Sequence, residues 1–492
     1  MRKFYITTPI YYVNAKPHIG HAYTTIAADV LARFHRLQKE EVFFLTGTDE
    51  HGLNIQKKAE EAGESPQAFV DENAEAFKEY WKKLRIEYDN FIRTTDEKHK
   101  AAVQKALQVL YDKGVIYRGL YEGFYCVACE QFKHEKELVE GRCPDHDIVV
   151  EKVKEECYML KMAEKQEELV EKIKNDEFKI APEKYKKEIL SFLESQELRN
   201  VSISRKNVSW GVELPFDKEH TTYVWADAFL NYLTGLGWPA FAPADAKAMA
   251  DKKASAGKDG DFDKFWPADV QLIGKDILRV HATIWPVMLL HLGIPLPKML
   301  FVHGHILSRG RKMSKTLGNA ISIDEMLEKF GKDGTRYLLM NLGTFGEDVD
   351  MTMERMTEKY NADLANGLGN LLSRTVKLYE KVDESFDFSR SKQLESKDEV
   401  LKEQIDKLQF DLVLRDAWIL VRTLDKYIED NKPWQLASSE SDKFKGIIEH
   451  ITRILTIISD SIAPFMPETS KKIKKALETK KADILFPRIK HE

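Results

Sequence analysis

Residues 4–36 constrain this chain more than any other stretch. An apolar run at residues 4–7 leads through Pro17-His18-Ile19-Gly20-His21 into a helical pattern at residues 22–36. A strand that passes through a short loop into a helix is the opening unit of a parallel α/β sheet. It also leaves unpaired backbone N–H groups, and the positive end of the helix dipole, where an anion can sit. The two histidines add donors there. Roughly 300 residues later, Lys312-Met313-Ser314-Lys315-Thr316 forms a cationic stretch between Gly310 and Gly318. Its lysines can reach phosphates as mobile point charges. Taken separately, the two stretches read equally well as a histidine pair on a helix start and a solvated lysine loop.

Short apolar runs recur at residues 42–46, 270–273 and 300–302, each ending in a polar loop, with helical patterns between them, as at residues 101–113. Ligands of such a sheet gather at the carboxyl ends of its strands. An insertion with a charged helical stretch at residues 163–196 is expected to interrupt the sheet between residues 116 and 220, and residues 241–263 read as a surface excursion. From residue 354 the signal changes to successive helical periodicities at 359–382, 394–430 and 442–462, with almost no strand pattern. The predicted organisation is one α/β domain in two halves (1–115 and 221–353), an insertion (116–220) and an all-α bundle (354–492).

With a net charge of −5 over 492 residues, the chain is no general nucleic-acid coater; any such contact must come from local basic patches. The lysines 471, 472, 474 and 475 read equally as a solvated helix face or as such a patch. Residues 1–12 lack the apolar core of a signal peptide. No run approaches the length of about 20 apolar residues that a membrane span needs. A cytoplasmic location without a membrane partner is expected, where disulfides are rare. Three of the four cysteines cluster, as Cys126-x-x-Cys129 and Cys143-x-x-His146. Three thiolates and one imidazole complete a tetrahedral set for a structural Zn²⁺, with no open position for a catalytic water. A redox Cys-x-x-Cys explains neither Cys143 nor His146; a knuckle that has lost its metal is the other reading. Cys157, in an apolar setting, is expected to be a buried thiol.

In this order and at this separation, the His18–His21 and Lys312–Lys315 stretches resemble the two ATP signatures of class I aminoacyl-tRNA synthetases. Thr8-Pro9-Ile10-Tyr11-Tyr12-Val13-Asn14, Thr48-Asp49-Glu50-His51-Gly52, Tyr223-Val224-Trp225-Ala226-Asp227-Ala228 and Asn431-Lys432-Pro433-Trp434 look like the methionyl-tRNA synthetase family. So does the zinc-bearing insertion, and the similarity covers essentially the whole chain. The resemblance implies a Rossmann-type catalytic domain with a zinc-binding insertion and an α-helical anticodon-binding domain. It implies ATP with Mg²⁺, L-methionine and tRNA(Met), including the initiator, as substrates.

The residue roles below are likewise what the resemblance implies. His18, His21, Lys312 and Lys315 act on the triphosphate, with Ser314 in the lysine loop. Gly20 leaves room for the adenine ring. Gly274 belongs to the turn in which Asp276 accepts from the ribose hydroxyls, although Asp276 could also be a plain helix N-cap. Ile10, Tyr12, Trp225, Ala228, Tyr232, His281 and Ile284 line the methionine pocket, with Tyr12 and His281 able to touch sulfur. Asp49 anchors the ammonium and Arg205 is its charged partner. Asn370 and Arg374, four apart on one helical face, contact the anticodon, and Trp434 offers a stacking platform.

Thr316 stands where Ser is usual in the lysine motif, and Val280 and Ile284 are aliphatic where aromatic residues can occur. The resemblance also implies correction of homocysteine at the adenylate stage by cyclisation. Some family members carry a further C-terminal β-barrel that holds a dimer. Nothing after Pro487 could form it, so a monomer is expected. A cysteinyl enzyme, whose zinc contacts substrate, fits the closed ligand set poorly. A tRNA-binding protein without catalysis fits poorly with the intact His and Lys stretches. A nucleotidyltransferase lacks the helical half.

Overall fold

The computed structural model describes residues 2–126, 131–133, 138–144, 148–239, 260–313, 321–386, 395–437 and 442–490. They form two compact units. The first comprises Met1–Pro17, Lys39–Lys82 and Glu87–Val302, the second His18–Gln38, Lys83–Ile86 and His303–Glu492.

The first unit contains, in chain order, β1 (Lys3–Tyr12), β2 (Glu41–Asp49), β3 (Asn90–Arg93), β4 (Ile116–Cys126), β5 (Gln131–Lys133), β6 (Glu151–Leu160), β7 (Lys179–Ala181), β8 (Val201–Ser202), β9 (Ser204–Arg205), β10 (Glu213–Leu214), β11 (Asp217–Thr222), β12 (Val270–Gly274) and β13 (Met299–His303). Its main sheet runs β3-β2-β1-β12-β13-β7, and the β3-β2-β1-β12 and β13-β7 pairings are parallel. β1 and β2 are buried along most of their length, which is why they read as continuous apolar runs rather than alternating ones.

The chain builds outward from β1 through β2 to β3. It then returns on the other side of β1, where Ile6 pairs with Val270. The strand order therefore reverses at β1, and the carboxyl ends of β2, β1 and β12 flank the crevice where such sheets bind ligands. Within β1 the register against β2 shifts between Thr7 and Ile10. Pro9 falls in that interval and has no N–H to give the ladder. Past the shift, Tyr12 is paired with Asp49.

The insertion is a long antiparallel pair, β4 with β6, flanked by β5 and β8. One expectation needs correction here. The insertion does not simply interrupt the sheet: residues 179–181 rejoin it as an edge strand, with Ile180 opposite Leu300. Three residues are too few to show a period. Most of the expected surface excursion lies outside the described residues, but its end, Asp261–Phe265, is a short helix.

The second unit contains α1 (Ile19–Leu37) and the helices Ile323–Asn341, Met353–Lys359, Asn370–Tyr379, Glu395–Asp406, Phe410–Asn431, Asp442–Ile462 and Pro467–Thr479. The helical expectations hold with two local differences. Residues Tyr360–Gly369 are wound as a π-helix. The expected 394–430 helix is broken after Asp406, where Leu408 takes a left-handed φ of 56°. At the centre of this unit Arg336 is fully buried. Its guanidinium donates to the carbonyls of Leu84, Pro464 and Phe465 and pairs at 2.7 Å with Asp29 of α1, which also holds Arg33.

Candidate active site

His18 is the N-cap of α1, and the cap is built from histidines. His18 Nδ1 accepts from the Gly20 N–H (3.1 Å), and His21 Nδ1 accepts from the His18 N–H (3.4 Å). This is a capping box with two imidazoles in place of the usual hydroxyl and carboxylate. The rings stack with centroids 3.7 Å apart. With Nδ1 used as an acceptor, each neutral ring carries its proton on Nε2. The donor side of both rings is therefore Nε2–H, at a helix start that has no acidic residue in its first turn. A Cβ on Gly20 would sit 2.9 Å from His18 Cε1, so any larger residue here would have to push the folded-over ring of His18 aside. Further along α1, Thr24 donates to His303 Nε2 (2.7 Å), whose Nδ1–H is given to the Gly304 carbonyl.

The lysine stretch follows a tight hairpin, Ile306–Ser308 with Arg311–Lys312, turning through Arg309 (φ 53°) and Gly310 (φ 73°). Asp350 Oδ2 accepts from the Gly310 N–H. This turn places Lys312 on the returning strand. Ser314, Lys315 and Thr316 lie outside the described residues.

The predicted methionine-pocket residues all belong to the first unit. Tyr12 and Asp49 sit side by side at the ends of β1 and β2, where the Asp49 carbonyl accepts from the Val13 N–H (3.2 Å). Tyr12 and Trp225 pack on the same small cluster of Tyr125, Tyr223 and Val224. Ile10 packs on the cluster around Tyr5, Leu45 and Leu236. Ala228 is buried, and Ile284 packs on the large core around Trp285.

His281 lies edge-on to both Trp225 (6.0 Å) and Phe229 (5.1 Å). Burial pushes its pKa down to about 4, outweighing the opposing effects of the Ile277 carbonyl and Asp276, so the ring is neutral. Nδ1–H donates to the Ile277 carbonyl (3.0 Å) and Nε2 accepts from the Tyr232 hydroxyl (2.9 Å). Both nitrogens are thus engaged, and His281 fixes Tyr232 rather than offering an idle polar atom. The Trp225 indole N–H is buried with no partner among the described residues, a donor of the kind a ligand satisfies.

Arg205 is buried over the Tyr125 ring (4.3 Å) and paired with Glu155 at 3.2 Å. Asp276 is exposed in a 3₁₀ turn just after β12 and Gly274, and the short helices there have no side-chain cap. Its side chain is therefore not spent as an N-cap.

Five residues that bear on this site were not singled out from the sequence. Phe229 packs against both Trp225 (5.4 Å) and His281 (5.1 Å). Glu155 pairs Arg205. His51 and His99 grip Asp227 from two sides, at 2.6 Å (Nδ1 to Oδ2) and 2.9 Å (Nε2 to Oδ1). Burial alone would raise the Asp227 carboxyl, but the two imidazoles outweigh it and hold it at about 2. His51 and Asp227 lie within Thr48–Gly52 and Tyr223–Ala228, yet nothing in their spacing says they touch.

Of the zinc set, Cys126 ends β4 and Cys143 closes the turn formed by Val139 and Arg142. Both are fully buried in one small cluster with Val150, Phe124, Leu138 and Ile148. Cys129 and His146 lie outside the described residues, and among the described residues no group of three or more His, Cys, Asp or Glu side chains could hold a metal. Cys157 is buried, and burial raises its thiol pKa.

In the second unit Asn370 is exposed at the start of Asn370–Tyr379 and lines a cleft of about 400 Å³ with Asn366, Ser373, Leu485 and Phe486. Arg374, one turn on, is half-buried and pairs with Asp425 at 3.3 Å. Trp434 follows Pro433 in a helical turn and is 47% exposed, so it is not a core tryptophan. Of the basic run near the end, Lys474 pairs with Asp460.

A family model described as tRNA synthetases class I (M) matches residues 4–151 and 147–376. The methionine–tRNA ligase of Clostridium acetobutylicum is 42% identical, over 99% of this chain and 78% of its own length. That of Caldanaerobacter subterraneus subsp. tengcongensis is 41% identical over 99% and 79%. The structure of Mycobacterium tuberculosis methionyl-tRNA synthetase in complex with methionyl-adenylate superposes with a TM-score of 0.87 at 35% identity, covering 96% of this chain and 93% of that one. Its apo form gives a TM-score of 0.80 at 31% identity. No helix among the described residues is long and apolar enough to cross a membrane.

Proposed function

This chain belongs to the class I methionyl-tRNA synthetases, and from that premise we propose how its own residues divide the work. The enzyme activates L-methionine with ATP and transfers it to tRNA. The methionine carboxylate attacks the α-phosphorus of ATP, forming methionyl-adenylate as diphosphate leaves. A hydroxyl of the tRNA 3′-terminal ribose then attacks the acyl carbon, and AMP leaves. No covalent enzyme intermediate is needed, so catalysis is alignment plus stabilisation of charge growing on phosphate oxygens.

The observation that carries the assignment of the ATP residues is the imidazole capping box. His18 and His21 are held as Nε2–H donors at the start of α1, ready for phosphate oxygens. Lys312 and Lys315 neutralise the triphosphate, which enters with Mg²⁺, and Ser314 belongs to the same loop. Asp276, following Gly274 and unspent as a cap, accepts from the ribose hydroxyls. Gly20 keeps His18 folded over the helix start. Amino-acid-dependent ATP–diphosphate exchange tests the set. Exchange with methionine alone is expected, and it should collapse in His18→Ala and His21→Ala at unchanged methionine KM. Full activity in either variant would refute the roles.

Methionine recognition falls to Ile10, Tyr12, Trp225, Ala228, Tyr232, His281 and Ile284, with Asp49 binding the ammonium and Arg205 as its charged partner. The thioether is selected by shape and by sulfur–aromatic contact, with the Tyr232–His281 pair fixing one wall. Homocysteine lacks only the terminal methyl, worth roughly 1–3 kcal/mol of discrimination. Release of its thiolactone after misactivation is expected, and its absence would sink that part of the reading.

Cys126, Cys129, Cys143 and His146 hold one Zn²⁺. Two buried thiols from separate segments sharing one apolar cluster suit such an ion, and its chemistry there is structural, a cross-link of the insertion. One zinc per chain by elemental analysis is expected, and loss of that zinc in Cys143→Ser. The helical domain (354–492) reads the anticodon through Asn370, Arg374 and Trp434, with the catalytic halves at 1–115 and 221–353 and the insertion at 116–220. Trp434→Ala should raise the tRNA KM and leave exchange untouched. A monomeric state, a cytoplasmic location and use of the initiator tRNA belong to the same proposal. Light scattering, fractionation and charging of initiator transcript check them.

A further inference from the structure

We propose that His51 is a positioning residue for methionine, setting the distance between the ammonium anchor Asp49 and the pocket wall formed by Trp225 and Ala228 through its bond to Asp227. The inference rests on the methionine-pocket reading above.

His51 lies two residues past Asp49; Asp227 lies two past Trp225 and one before Ala228. The 2.6 Å bond from His51 Nδ1–H to Asp227 Oδ2 therefore closes a short ring linking the end of β2 to the helix Val224–Ala228 across 176 residues of sequence. Both groups are buried, at 3% and 0% exposure, so water cannot substitute for either partner.

The surrounding bonds hold each end of this link. Glu50 accepts from Arg93 at 2.7 and 2.9 Å, and its carbonyl accepts from the Trp210 indole at 2.6 Å. The Gly52 N–H donates to the Trp210 carbonyl. Those contacts fix the turn after Asp49 but do not tie it to the pocket wall; His51 does. At the other end, Asp227 Oδ1 accepts from His99 Nε2–H, and the Thr234 hydroxyl donates to His99 Nδ1 (2.7 Å). That bond fixes the His99 tautomer and leaves Oδ2 for His51. The helix carrying Trp225 has no side-chain cap of its own, so the Asp227 bonds are what orient it from within.

The test compares His51→Ala with His51→Asn by methionine-dependent exchange, normalised to active sites titrated by the adenylate burst. The Asn amide N–H occupies the place of Nδ1–H and can still donate to Asp227. His51→Ala is expected to raise the methionine KM by about tenfold or more with the ATP KM unchanged, and His51→Asn to recover most of that loss. Asp227→Asn, which keeps the shape and loses the charge, should shift the methionine KM in the same direction. A fall in titrated sites with normal KM, or equal effects of Ala and Asn, would overturn the proposal as mere structural damage. Trp225→Ala separates the two layers. If it raises the methionine KM while His51→Ala does not, this inference falls alone. If it leaves that KM unchanged, the pocket reading falls and takes the inference with it.

Discussion

Asp29→Ala is the most informative stability experiment the second unit offers. Asp29 Oδ2 lies 2.7 Å from both Arg33 Nε and Arg336 Nη2, and the side chains of Asp29 and Arg336 are wholly buried. Arg33 is 12% exposed at its side chain and can turn toward water, so its loss should cost no more than a surface pair, about 1 kcal/mol or less. Arg336 has no such exit. Without Asp29 its cation loses its 2.7 Å partner and keeps the carbonyls of Leu84, Pro464 and Phe465 and a weaker attraction to Asp333, which is not hydrogen-bonded to it among the described residues. Stranding one member of a buried pair costs about 3–5 kcal/mol, a factor of roughly 150 to 5,000 in the folding equilibrium. Replacing both partners with apolar residues is often neutral elsewhere. Here it would leave three carbonyls without donors at about 1–3 kcal/mol each, so Asp29→Leu/Arg336→Met should remain destabilised. Urea unfolding followed by circular dichroism measures both. A loss below about 1 kcal/mol for Asp29→Ala would refute the argument, since that is the range of a solvated pair.

Other outcomes follow from the site. Burial holds the His281 pKa near 4, so its share of stability is fully present above pH 6.5, where the unfolded histidine is also neutral. That share is lost as pH falls from 6.5 to 4, while the unfolded chain takes up a proton the folded chain refuses. The loss is up to about 3 kcal/mol, and urea midpoints of wild type and His281→Gln should converge over that window; parallel curves would contradict it. Tyr232→Phe leaves His281 Nε2 as a buried acceptor without its donor, expected to cost about 1–3 kcal/mol and to raise the methionine KM, read from melts and exchange kinetics. Gly20→Ala should lift the His18 ring from the cap, losing about 1 kcal/mol and lowering exchange without changing methionine affinity; wild-type exchange would show the ring is not held there.

The parallel sheet was legible because strands covered on both faces are written as unbroken apolar runs. The entry to α1 was legible because histidine and glycine stand where a cap and a close approach are needed. The helical half was legible through its period, but the turn at Leu408 uses neither Gly nor Pro, so no residue marked it. β7 escaped because three residues carry no pattern. The long-range pairings were invisible for a different reason. Arg205 with Glu155, His51 with Asp227 and Arg336 with three carbonyls are contacts between distant segments, and a single sequence records residue types, not their neighbours. His281 shows the limit most clearly: the pocket role came from resemblance, while the engagement of both its nitrogens depends on a carbonyl and a hydroxyl that only the fold supplies.

The position of β1 between β2 and β12 has a consequence for the ribosome. Ile6 emerges early and soon meets β2, but its other neighbour, Val270, is translated 264 residues later. At roughly 5–20 residues per second, β1 spends about 13 to 53 s with one row of backbone groups unpaired. An apolar strand with an open edge is the kind that pairs with strangers. Growing polysomes, rather than the finished enzyme, are therefore where this protein is most exposed to aggregation, and chaperone demand should peak before β12 has emerged.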